Sequence, residues 1–418
     1  MKSPTPALPQ GEGAAYRNLY DSSFKEERNL YNVCVLKRPI EKVFSASPSL
    51  RGRAGVGLFC LLLFGCLTDF EPREIDQARD ILVVEGVITD DETTITLTRS
   101  INLTDYESSE PKYIYDAHVY VECDDGAQFH AYNWNGKYKI NSGKLNPERK
   151  YRLRIEIEEN DCDRLNNKIS LGSPCPVKTY LYGTEYSYPI QTPEIDSVFW
   201  TKRGNGQPVI IHVATHSPYE EILYYRWWFN EDWEINSPVP LDGYPSHCWN
   251  YNISSEIFLG SAEKTIFGKL ADNIIEIPAW SKKISGLYRI VVWQNAISKQ
   301  AYDYFTNIKK NSETMGTIFA PIPSELRGNI ICITDPERHA IGFVEVSSTK
   351  TGQRNIYSRE VYERPVGECP FFSLLEIDKG ERYDYIQISN DEDVYVHRSC
   401  VDCTYHGATT DKPDNWPR

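Results

Sequence analysis

"DAHVYVECDDGAQFHAYNWNGKYKI", residues 116–140, decides the fold class of this chain. Two pairs, Asp125-Gly126 and Asn135-Gly136, sit between runs of strand-forming residues. Both pairs favour the left-handed backbone that tight hairpin turns demand, so the stretch predicts three strands joined by two turns.

The neighbouring segments repeat the pattern. In "TTITLTRSI" (93–101), Thr94, Thr96 and Thr98 alternate with Ile95, Leu97 and Arg99, and in "KYRLRIEIEE" (150–159) the apolar positions are Tyr151, Leu153, Ile155 and Ile157. Alternation of this kind covers one face of a strand and leaves the other wet. With "DILVVEGVITD" (80–90) the spacing predicts an antiparallel sandwich over residues 80–190. The pattern resembles the transthyretin-like or carboxypeptidase-regulatory sandwiches, which are scaffolds without catalysis of their own.

"TPEIDSVFW" (192–200), with Pro189 and Pro193, reads as a linker into a second mainly-β domain over 191–411, with strands in "PVIIHVATH", "ILYYRWWFNEDWEI", "GLYRIVVWQNAI" and "AIGFVEVSST". One helix interrupts it, over about 298–311. Ser298 is its N-cap, Tyr302, Phe305 and Ile308 form one stripe, and Lys309 and Lys310 lie in the last turn, where the helix dipole favours them. The stripe reads as core packing. The expected fold is therefore mainly β: two antiparallel β-sandwich-like domains with one short amphipathic helix in the second.

Composition agrees. The 418 residues exceed what one core usually serves, and 40% hydrophobic with 12% aromatic content excludes a disordered chain. The net charge of -14, with the acidic excess beyond Cys66, repels phosphate backbones, which argues against nucleic acid as a partner and against docking on anionic lipid by charge alone.

"GVGLFCLLLFG" (55–65) is an uncharged apolar run behind Arg51 and Arg53. It is too short to span a bilayer and has the length and flank of a signal-peptide core. Leu63-Phe64-Gly65-Cys66 resembles a bacterial lipobox, which makes Cys66 the expected lipidation site. Diacylglycerol would join its sulfur, cleavage would follow Gly65, and the new amino terminus would be acylated; two or more chains anchor stably where one does not. Asp69 and Glu71 resemble the acidic residues that favour surface export in lipoproteins of the Bacteroidota. Residues 1–65 read as a mis-started leader plus signal peptide, and 66–79 as an acidic tether.

Beyond the leader stand Cys123, Cys162, Cys175, Cys248, Cys332, Cys369, Cys400 and Cys403, an even number compatible with disulfides in an exported chain, their pairing open. His397, Cys400, Cys403 and His406 in "HRSCVDCTYH" have zinc-like spacing, but one short run can hardly wrap four ligands round one ion, and disulfide or plain structure is preferred. His212 and His216 lie four apart on a strand and are read as structural.

No phosphate loop, nucleophile elbow or His-Glu-x-x-His motif occurs, so no catalytic residue and no cofactor is expected. Asp90-Asp91-Glu92 and Glu158-Glu159 read as solvated turns. The strongest binding candidate is "YYRWWFNEDWEI", with Tyr224, Arg226, Trp227, Trp228 and Trp233 as the site residues. A strand places these rings on both faces and a core needs only one; burial is the first reading, stacking on a sugar or peptide the second.

Several segments in order carry a family resemblance: "LVVEGVITDDETTITLTRS", "DAHVYVECDDG" followed by "GKY", "YYRWWF", "KQAYDYF" before "GTIFAPIPSELRGNI", "AIGFVEVSS" and "CVDCTYHGATTDKPDNW". Together they resemble the Bacteroidota lipoprotein family catalogued as domain of unknown function 4249, from Cys66 to Trp416. The resemblance implies an outer-membrane lipoprotein, anchored through N-terminal acyl chains at the cell surface or the periplasmic face, with a TonB-dependent receptor as partner in nutrient uptake. It carries no catalytic positions. The alternatives are a structural or adhesive envelope lipoprotein and, behind it, a secreted hydrolase.

Overall fold

In the computed structural model the described residues are 81–100, 111–160, 177–218, 222–265, 268–314, 328–362, 369–389 and 393–417, all within one unit, Asp76–Arg418. The leader, Cys66, the acidic tether, Cys162, Cys175 and Asp69 with Glu71 lie outside them.

The first sandwich opens with a hairpin of β1 (Leu82–Ile88) and β2 (Asp91–Arg99), to which β3 (Lys112–Tyr113) adds an edge. Four strands follow: β4 (His118–Cys123), β5 (Gln128–His130), β6 (Tyr132–Trp134) and β7 (Lys137–Gly143), then β8 (Tyr151–Asn160) and β9 (Val177–Gly183). One sheet runs β1-β2-β7-β6 and the other β9-β8-β4-β5. The expected middle strand of residues 116–140 is thus two strands. The chain changes sheets at Ala131, whose N–H donates to the Val119 carbonyl while β5 stays with β4 and β6 pairs with β7. Asn135 and Gly136 turn the second hairpin with φ of 50° and 80°, the left-handed values their identities predict. Between the sheets Leu97, Ile140, Leu153 and Ile155 are fully buried, each contributing about 1.5–3 kcal/mol of hydrophobic stabilisation.

The second sandwich comprises β10 (Ile195–Lys202), β11 (Val209–His216), β12 (Tyr224–Asn236), β13 (His247–Ile253), β14 (Phe258–Ser261), β15 (Lys269–Ile277) and β16 (Leu287–Ile297), followed by α1 (Lys299–Thr314). After the helix come β17 (Ile331–Cys332), β18 (Ala340–Ile341), β19 (Glu345–Val346) and β20 (Thr349–Tyr357). Its sheets run β10-β11-β15 and β13-β12-β16-β20, with β14 also on β12.

The strands after α1 cross the expected boundary at residue 190. β18 and β19 pair in parallel with β1, and β17 pairs with β9, so segment 331–346 completes the first sandwich before β20 returns to the second. Arg338 fixes this return: it donates to Glu159 at 2.6 Å and lies 3.6 Å over the Tyr180 ring. The expected linker around Thr192 is a buried joint rather than a spacer. The Thr192 N–H donates to Ser348 Oγ at 2.9 Å, its hydroxyl accepts from the Ala296 N–H at 2.9 Å, and Pro193 leads straight into β10.

The helix begins as its sequence predicts. Ser298 Oγ accepts from the Ala301 N–H at 3.2 Å and donates to Glu345 at 2.8 Å. Ala301, Tyr304 and Phe305 are its buried residues, packed with Phe343 and Tyr224, while Tyr302 and Ile308 are half-buried at the margin. The buried stripe sits one residue round from the expected one because Phe343, on the returning segment, takes the place a local reading leaves empty.

Candidate functional surface

Strand β12 sorts its rings by parity. Tyr225, Trp227, Phe229 and Trp233 point into the second core, where Trp227 is 1% exposed. Its indole N–H donates to Gln294 Oε1 at 2.7 Å, and Gln294 in turn donates to the Pro193 carbonyl and Thr215. Gly260 lies against the Trp227 ring, where a Cβ would have no room. Of the five expected binding residues, Trp227 and Trp233 are therefore core.

The outer face is different. Trp228 lies directly opposite Trp293 of β16, both half-buried, with ring centres 6.3 Å apart and planes 9° from parallel. Beside them Tyr251 and Ile253 of β13 are exposed by 54% and 56%. Offset rings of this kind form a flat apolar platform suited to stacking. Amide and hydroxyl groups of Asn230, Gln353 and Thr351 share the face by register.

Both ends of the platform are covered by the chain itself. At one end Arg226 is sandwiched under the helix, its guanidinium 4.2 Å from the Phe305 ring; burial lowers its pKa, opposed by the charge of Glu85. Tyr224, the fifth expected residue, is buried there against Tyr302. At the other end Arg289 bonds Asp232 at 2.7 Å and donates to the carbonyls of Asp414 and Asn415, and Trp416 lies 5.2 Å from its guanidinium. Beyond Trp416 a cavity of about 490 Å3 is lined by Glu234, His247, Trp249, Tyr357 and Arg359. His247 bonds Glu234 at 2.6 Å, and the buried Trp249 indole N–H has no acceptor.

The C-terminal segment is tied down by disulfides. Cys248 pairs with Cys403, and Cys369 with Cys400. The Cys-x-x-Cys run is thereby split between two partners, leaving no thiolates for metal, and His397 is engaged with Ser399 at 2.8 Å and with the Tyr385 and Tyr405 rings. Cys123 and Cys332 are free and buried in the first core. Among the described residues no group of three or more His, Cys, Asp or Glu is placed to hold a metal ion. His212 and His216 share a sheet face, but His212 contacts Thr201 at 2.7 Å and His216 contacts Asp196 at 2.7 Å, so they do not converge.

Trp293, Arg289 and Trp416 escaped the sequence reading. The signal was present in "GLYRIVVWQNAI": Arg289, Val291 and Trp293 share one parity, opposite to the fully buried Tyr288, Ile290 and Val292.

A family model described as domain of unknown function (DUF4249) matches residues 68–353. No curated protein matches. Among solved structures, the two-domain fibronectin type-III segment of chicken tenascin aligns at 9% identity over 51% of this chain and 91% of that one, with a TM-score of 0.15. A structure of the manganese lipoxygenase of Gaeumannomyces graminis with part of zonadhesin of Komagataella pastoris aligns at 9% identity over 53% and 90%, with a TM-score of 0.14. At such TM-scores neither constrains fold or function.

Proposed function

The chain belongs to the family described as domain of unknown function (DUF4249), and from that premise we propose that it is an outer-membrane lipoprotein, anchored through Cys66, that binds ligand or partner for a TonB-dependent uptake system. The observation that carries this reading is the pair of disulfides, Cys248–Cys403 and Cys369–Cys400. Such bonds persist in oxidising compartments outside the cytosol, and the apolar run before Cys66 supplies the route there.

The platform around Trp228 and Trp293 is the binding face of this reading. It offers stacking surface flanked by amides and hydroxyls rather than a nucleophile with its base, so the role is recognition without chemistry. A Cys66→Ser variant tests the anchor: the protein should leave the membrane fraction for the soluble one. Recovery of a receptor barrel with detergent-solubilised wild type, and its loss with Trp228→Ala plus Trp293→Ala, tests the partner. Retention at the membrane without Cys66 overturns the anchor; capture of no barrel leaves a structural or adhesive envelope role.

A further inference from the structure

On the outer face of the first sandwich, strands β5, β4 and β8 bring His130, His118 and Glu156 together. His118 is the direct cross-strand partner of Glu156, and Tyr120, two residues along, is the partner of His130. His118 Nε2 stands 3.0 Å from His130 Nδ1. The ring planes are 10° apart and the centres 5.0 Å apart, so the two rings approach each other through these nitrogens. On the far side of His118, Nδ1 is 3.4 Å from Glu156 Oε2, and the other Glu156 oxygen accepts from the Tyr120 hydroxyl at 3.2 Å.

These contacts fix protons as well as positions. With the His118 Nδ1–H donated to Glu156, its Nε2 carries a free lone pair, which accepts the Nδ1–H of His130. If that proton moves to Nε2 of His130, both facing nitrogens carry lone pairs with no net proton released, and a turn of the two exposed side chains aims them at one ion. A carboxylate behind a ligating imidazole is the usual support of a metal-bound histidine, since it sets the tautomer and raises ligand basicity.

We propose that His118 and His130 form a two-nitrogen site for a borderline divalent cation, Cu2+ ahead of Ni2+ and Zn2+, with Glu156 as the positioning residue and water completing the shell. Imidazole suits these ions, and Cu2+ leads the affinity order. Metal–nitrogen bonds of about 2.0–2.1 Å to atoms 3.0 Å apart subtend roughly a right angle, the cis geometry of tetragonal Cu2+ rather than the wider tetrahedral angle. All three residues stand on paired strands, which limits the rearrangement needed. The site lies apart from the Trp228 platform and does not depend on lipidation.

The test is calorimetric titration of the untagged, disulfide-intact protein with CuCl2 and then NiCl2 near neutral pH, with electron paramagnetic resonance of the Cu2+ form. One saturable ion per chain with two equatorial nitrogens is expected. His118→Ala or His130→Ala should weaken binding at least tenfold, Glu156→Gln about tenfold, and His212→Ala not at all. Thermal unfolding of each metal-free variant shows that it is folded. Absence of saturable binding, or unchanged affinity and spectrum in His118→Ala and His130→Ala, overturns the proposal.

Discussion

Trp228 and Trp293 lie directly opposite each other on neighbouring strands, their offset ring centres 6.3 Å apart, while Trp227, one residue earlier than Trp228, is sealed in the core. Adjacent tryptophans on one strand thus serve opposite sides of a sheet. Trp227→Ala should cost about 3–5 kcal/mol, because it empties a core site and strands Gln294 without its donor. Trp228→Ala should cost about 1 kcal/mol or less, yet abolish capture of the partner. Denaturant unfolding read beside a pull-down separates the two; equal losses of stability would mean that the outer ring is structural as well.

Reduction should loosen the C-terminal segment. Cys248–Cys403 closes a loop with a sequence separation of 155, so Cys403→Ser should lower stability by about 2–5 kcal/mol. Non-reducing peptide mapping should recover Cys248 with Cys403 and Cys369 with Cys400. A Cys400–Cys403 peptide would contradict the fold of this segment.

Acid should release segment 331–346. Burial pushes the Glu159 carboxyl up, but hydrogen bonds and charge from Arg338 and Arg99 outweigh it and hold the group below the ordinary glutamate range. A depressed carboxyl stabilises above the unfolded value, about 4.3, and that contribution is lost as pH falls through the lower folded value. Glu159→Gln should therefore lose about 2 kcal/mol at pH 7, and its deficit against wild type should shrink below about pH 4. A deficit that stays constant from pH 7 to pH 3 would show that the carboxylate charge contributes nothing.

Local chemistry made much of this fold legible. Asn135-Gly136 announced its hairpin, Ser298 its helix, and the alternation of Leu153 and Ile155 its buried face, since each depends on neighbours in sequence. Partner choice was not legible. Nothing in "AIGFVEVSST" says that Ala340 and Glu345 lie beside β1 in parallel, because α1 and Arg338 decide where that segment arrives. Ala131 looked like the middle of one strand because a change of sheet leaves alternation intact. For the candidate surface, the sequence placed rings on both faces of β12, but only Trp293 and the covered ends at Phe305 and Trp416 distinguish platform from core. Cys400 and Cys403 shared a motif yet have different partners, since a 3-10 turn ends at Cys400 and another starts at Cys403.

Attachment to the envelope through one sulfur atom is tested most directly by mass spectrometry of the amino-terminal peptide from membrane-purified protein. The peptide should begin at Cys66 and carry a diacylglyceryl thioether together with an acylated amino group. An unmodified Cys66 inside an uncleaved peptide that still contains Gly65 would contradict it.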